Sequence, residues 1–151
     1  MTEFCFHHLE RRRIDQALAD LLERALEKGE RVVVQTGSAE EVDALNERLW
    51  TYRDDSFLPH GAKRDGEPET QPIYLTDEAD APNGASLRVL ISGVDGAPFA
   101  RGAHQRVIIL FDGRDEDAKA RARRQWAAIK ALGEPLSYWR EGDDGGWTQG
   151  R

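Results

Sequence analysis

The sequence predicts an α/β layered fold on a mostly parallel sheet, and three observations carry that prediction. Short β-branched runs alternate with amphipathic helical segments from the N-terminus onward. Two of those runs, Arg31-Val32-Val33-Val34-Gln35 and Gln105 to Phe111, are apolar without alternation, as suits strands buried on both faces. The 151 residues show no internal repeat and no low-complexity linker, so residues 1–151 form a single domain.

In order, Thr2 to Leu9 reads as the first strand, with Phe4 and Phe6 alternating against Cys5 and His7. Ile14, Ala17, Leu18, Leu21, Leu22, Ala25 and Leu26 then follow the i, i+3, i+4, i+7 spacing of an amphipathic helix, which Gly29 ends. After the Arg31–Gln35 strand, Ser38 and Glu41 have the spacing of a capping box. The helix they open turns Val42, Leu45 and Leu49 inward and reaches Trp50. Right-handed βαβ crossovers connect such elements. Thr51 to Gln71 carries no period and reads as an irregular loop, polar from Gly61 to Glu69. Pro72 to Leu75 and Leu87 to Ser92 read as strands, with a turn at Pro82-Asn83-Gly84 between them. Gln105 to Phe111 is the most apolar run, hence a central strand. Asp115 to Gly133 opens with acids and closes on glycine, the order a helix dipole and a C-terminal stop require. Leu136 to Arg140 reads as a last strand, with a glycine-rich, flexible tail over 142–151.

Composition narrows the function. The net charge of -7 disfavours direct, sequence-blind binding to nucleic acid. No apolar run approaches the roughly 20 residues of a membrane span, and the N-terminus lacks the order of a secretory signal. One cysteine fits a reducing cytoplasm. No phosphate-binding loop is present: the turn after the first strand is Glu10-Arg11-Arg12-Arg13, without a glycine. Those arginines suit an anion, although a helix start favours acids. Cys5, His7 and His8 have no zinc spacing, so neither a metal nor a cofactor is expected. Asp112, Asp115, Glu116 and Asp117 follow a strand's C-terminal end. They read either as caps of the helix that follows or as a magnesium site of a phosphoesterase or nucleotide-processing enzyme.

The last long helix stands out. At about 100° per residue, Ala118, Ala122, Ile129 and Leu132 share one side, and Lys119, Arg123, Trp126 and Lys130 form a stripe beside them. From Ala118 to Gly133 there are five basic residues and no acid. Such a strip on an acidic protein suits a small acidic ligand, and it is equally what a solvated helix face with a half-buried Trp126 produces. Trp50 and Phe57 flank an irregular segment, where they serve either as partner anchors or as filling between helix and sheet edge.

The order of these features resembles the chi subunit family of bacterial DNA polymerase III over nearly the whole chain. Leu49-Trp50 followed by Ser56-Phe57-Leu58-Pro59-His60 is the most specific part, and a basic last helix ending at Gly133 completes it. The resemblance implies a Rossmann-like three-layer sandwich without its nucleotide site. It also implies a non-enzymatic, cytoplasmic accessory protein of the clamp-loader complex. Members bind the acidic, phenylalanine-terminated C-terminal tail of single-stranded-DNA-binding protein through the last long helix. In register from Gly133, the matching positions are Lys119, Arg123, Trp126 and Lys130. The family often has tyrosine at the Trp126 position, and a lysine it can carry one step later is Ala127 here. A second family surface, which contacts the psi subunit or a helicase, maps to Trp50 and Phe57. A proline that some relatives carry between those two is Arg53 here.

Overall fold

Eight strands lie side by side in the order β3-β4-β2-β5-β6-β1-β7-β8. They are β1 (Glu3–Leu9), β2 (Val32–Gln35), β3 (His60–Ala62), β4 (Ile73–Thr76), β5 (Leu87–Leu90), β6 (Arg106–Asp112), β7 (Leu136–Glu141) and β8 (Trp147–Gln149). Every pairing is parallel except β7 with β8. The computed structural model describes residues 2–51, 59–144 and 146–150, with Trp50 and Arg64 described in their backbone alone.

Side-chain alternation along the strands divides the core into two faces. Cys5, Leu9, Val32, Val34, Ile108 and Leu110 pack beneath α1 (Ile14–Glu27) and α2 (Ala39–Thr51). Phe4, Phe6, Val107, Ile109 and Phe111 pack on the other face beneath α3 (Glu116–Ala131), through Ala122 and Ile129. Helices on both faces of a mostly parallel sheet make this a Rossmann-like sandwich, as the sequence predicts. Val33 and Tyr74 lie farther along under Ala81 and Ala85. That loop is fastened by the buried Arg88, whose guanidinium donates to Gln35 Oε1, Asp80 O and Glu78 O and sits 4.2 Å from the Phe99 ring. No helix among the described residues is long and apolar enough to cross a membrane.

Several elements differ from the sequence reading. Part of the Thr51–Gln71 stretch is structured: β3 pairs with β4, and single 3-10 turns follow at Lys63–Asp65 and Pro68–Thr70. Three residues, His60-Gly61-Ala62, are too few to show a period. Their strand is held from outside, by His60 against the Asn46 carbonyl and by Asp65, which accepts from Ala62 N and Asn46 Nδ2. Within 142–151, read as a flexible tail, Trp147–Gln149 instead pairs antiparallel with Trp139–Glu141. Leu132, placed in the buried stripe by helical phase, is 42% exposed because α3 stops at Ala131 and Leu132 is its C-cap. Gly133 follows at φ +78, the left-handed conformation that closes a helix.

Candidate functional site

The two places where this fold class most often puts chemistry are already occupied by the chain itself. At the β1–α1 turn, the buried Glu141 carboxylate accepts the backbone N–H groups of Glu10, Arg11 and Arg12 at 2.9, 2.7 and 3.2 Å. Arg12 Nε adds a bond at 2.7 Å. Burial by itself raises the Glu141 carboxyl, but Arg12 and the three backbone donors outweigh it and hold the group at about 2. Of the three arginines, Arg11 pairs with Asp143, Arg12 with Glu141 and Asp20, and Arg13 with Asp15. The anion they suit is thus one the chain provides.

At the end of β6, Asp112 and Asp115 are engaged by donors of the chain itself. Asp112 Oδ1 accepts from the backbone N and Nε of Arg114, both at 2.9 Å, and these contacts hold its carboxyl below the usual range. Asp115 caps α3, accepting from Asp117 N at 2.9 Å and Ala118 N at 3.3 Å. Among the described residues, no three histidine, cysteine or acidic side chains are grouped to hold a metal ion. Asp115 is thus committed to capping the helix and Asp112 to Arg114.

A cleft of about 520 Å³ opens instead between α3 and the sheet, and it brings Lys119, Arg123, Trp126 and Lys130 together. One wall is the α3 stripe, one helical turn per residue step. The floor comes from strands: Phe6 and His8 of β1, Phe111 of β6, and Tyr138 and Arg140 of β7. Register explains the grouping, because Phe6 faces Tyr138, and His8 faces both Arg140 and Phe111. Trp126 is half-buried, with its ring edge-on to Phe6 at 5.2 Å and to Tyr138 at 6.2 Å. It anchors the helix and still presents a face to the cleft. Arg123 and Lys130 are exposed and make no ion pair among the described residues, whereas Lys119 lies 3.7 Å from Glu116. Arg121 leaves the strip and lies across Gly93 on the far side of the helix.

His8 is the pivot of the floor. Its Nδ1 meets the Tyr138 hydroxyl, and its ring lies so close to Gly113 that a Cβ there would come 1.8 Å from Nε2. Burial, then the Arg140 charge, lowers its pKa and so favours the neutral ring. Its place across the sheet from Cys5 and His7 is legible from strand alternation. Tyr138, Arg140 and Phe111 are not legible as site residues, because only strand pairing brings them beside His8. Of the second predicted pair, Trp50 is described in its backbone alone, at the end of α2, and Phe57 lies outside the described residues.

Comparison with known proteins agrees with the sequence resemblance. Residues 1–137 match the family model for the DNA polymerase III chi subunit, HolC. A probable DNA polymerase III subunit chi of Rickettsia prowazekii (strain Madrid E) is 35% identical over 117 residues, which cover 74% of this chain and 71% of that protein.

Proposed function

The chain belongs to the DNA polymerase III chi subunit family, and from that premise we propose that it is a non-enzymatic adaptor. In this reading the α3 cleft holds the acidic, phenylalanine-terminated C-terminal tail of single-stranded-DNA-binding protein and so ties that protein to the replisome or to a repair helicase. The observation that carries the reading is the gathering of Lys119, Arg123, Trp126 and Lys130 on one cleft, with Arg123 and Lys130 unpaired among the described residues. A chain end with a carboxylate and a phenyl ring fits both halves of that surface. The carboxylates meet the α3 cations in charge-assisted bonds, and the ring lies against Trp126 above Phe6 and Phe111. The psi subunit or a helicase takes the second surface, at Trp50 and Phe57.

Calorimetry with an acidic peptide ending in phenylalanine tests the proposal, run with and without that last residue. Binding is expected to depend on the phenylalanine, to weaken with added salt, and to lose about 1–3 kcal/mol in Arg123→Ala. Equal affinity of the truncated peptide, or of the Arg123 variant, refutes the assignment. Trp50→Ala is expected to lose the psi or helicase partner and keep the peptide. Loss of both together would indicate a damaged fold instead.

A further inference from the structure

The cleft has cations on two sides, and only one side comes from the helix. Arg140 projects from β7 onto the floor that Phe6, Phe111 and Tyr138 make, facing the α3 wall of Lys119, Arg123 and Lys130. It lies beyond residue 137, where the family match ends. Its side chain is 56% exposed and its Nε sits 3.2 Å from Glu10 Oε1. The same carboxylate oxygen is 3.6 Å from His8 Nε2.

We propose that Arg140 is the sheet-side cation of the acidic-tail site, and that Glu10 occupies it until a carboxylate of the tail takes its place. The proposal rests on the tail-binding reading above and adds how the site is regulated and what it selects. Glu10 is suited to the part. Its backbone N–H is fixed to the buried Glu141 carboxylate at 2.9 Å, while its own side chain is 40% exposed and meets Arg140 at the solvent side. An exposed Arg–Glu pair of this kind contributes little to stability, so an incoming carboxylate needs only a small advantage to displace it. The guanidinium offers that advantage, because it holds Glu10 through Nε at 3.2 Å and its planar fork suits a second, bidentate acceptor.

Selection follows from the two walls. A single terminal carboxylate against α3 leaves Arg140 with Glu10. A chain bearing further acids before its end can satisfy α3 and Arg140 together, and only then does releasing Glu10 bring a return. The cleft thereby favours an acidic run over a lone terminal carboxylate, and Glu10 acts as the threshold.

The test is a double-mutant cycle read by calorimetry at low salt, with an aspartate-rich, phenylalanine-terminated peptide. Both substitutions are on exposed side chains and leave the backbone bonds to Glu141 in place. Arg140→Gln is expected to weaken binding about fivefold, and Glu10→Gln to tighten it about threefold. In the Arg140→Gln background the gain from Glu10→Gln is expected to vanish. A peptide with its internal acids replaced by asparagine is expected to respond to neither change. If the gain persists without Arg140, Glu10 acts through the general field and the proposal is overturned. It is equally overturned if either single variant binds as the wild type does, while the tail-binding reading stands. If the wild-type protein does not bind the peptide at all, the reading beneath the proposal fails and the proposal falls with it.

Discussion

Replacing Glu141 with glutamine removes the anion that takes the backbone N–H groups of the β1–α1 turn, and the structure sets the size of the effect. The carboxylate takes four donors: three backbone N–H groups and the Arg12 Nε. It is fully inside the protein, yet its pKa falls from an ordinary 4.5 to about 2. That difference corresponds to ~3 kcal/mol of folding stability. Because the folded value is the lower one, the contribution is complete above about pH 4.5 and is lost as pH falls toward 2. Glutamine keeps one acceptor, but it is neutral and turns an NH2 group toward other donors. Urea unfolding at pH 7 is therefore expected to show Glu141→Gln less stable by ~3 kcal/mol. At pH 2.5 most of the gap between the two proteins should have closed. A loss below about 1 kcal/mol at pH 7, or a gap that does not narrow in acid, refutes the view that this carboxylate holds the turn.

Burial, reinforced by Arg106, lowers the His7 pKa from 6.5 to about 4, so the neutral ring is the folded form and the unfolded chain binds the extra proton. Stability from this residue is complete above about pH 6.5 and declines by up to ~3 kcal/mol as pH falls to 4; His7→Phe should flatten that stretch of the unfolding free energy plotted against pH. Gly113→Ala puts a methyl 1.8 Å from His8 Nε2, where the backbone is pinned by the Gly113 N to Leu9 O bond at 2.7 Å. The ring must leave Tyr138, at an expected cost of about 1–3 kcal/mol by thermal or urea unfolding, with altered peptide affinity because the cleft floor moves. Arg88→Met leaves the buried Gln35 Oε1 without its donor and releases the partly buried carbonyls of Asp80 and Glu78, and should destabilise by about 1–3 kcal/mol without changing peptide binding once folded.

The sequence revealed what depends on neighbours in the chain and concealed what depends on neighbours in space. Ile14 to Leu26 and Ala118 to Ile129 announce their helices by period, and Val32 to Val34 announce a strand by having no polar side at all. The α3 stripe was legible for the same reason, since four residues at helical spacing need no tertiary information to share an edge. Its boundary was less so: Leu132 has the right phase, but the helix stops one residue short and leaves it outside. β3 and β8 are three residues each, and β8 is built from Trp147-Thr148-Gln149 in a glycine-rich stretch. Such strands exist because β4 and β7 offer them an edge, which no local pattern records. The same holds for the cleft floor, where Phe6, Phe111 and Tyr138 are core-like residues that only strand pairing and the Trp126 contacts bring to one cleft.

The missing phosphate loop and the Glu141 plug are two views of one change. In a nucleotide-binding sandwich, the turn after β1 turns its N–H groups on a phosphate. Here the N–H groups of Glu10, Arg11 and Arg12 are committed to Glu141, which arrives from β7, so the turn needs no glycine and has no capacity left for an external anion. An anion in the α3 cleft would instead be met by side chains, among them Arg123 and Lys130, which make no ion pair among the described residues. That difference has an energetic signature. Backbone donors at a helix start are rigid and shielded, whereas Arg123 and Lys130 are exposed and individually weak. A tail bound there should lose most of its electrostatic share between low salt and about 1 M, where the Debye length shrinks to roughly 3 Å, and keep what Trp126 contributes through its ring. Trp126→Ala in high salt should accordingly abolish binding, although either perturbation alone leaves a measurable remainder. Full retention in the doubly perturbed case would mean that the peptide is held somewhere other than this cleft.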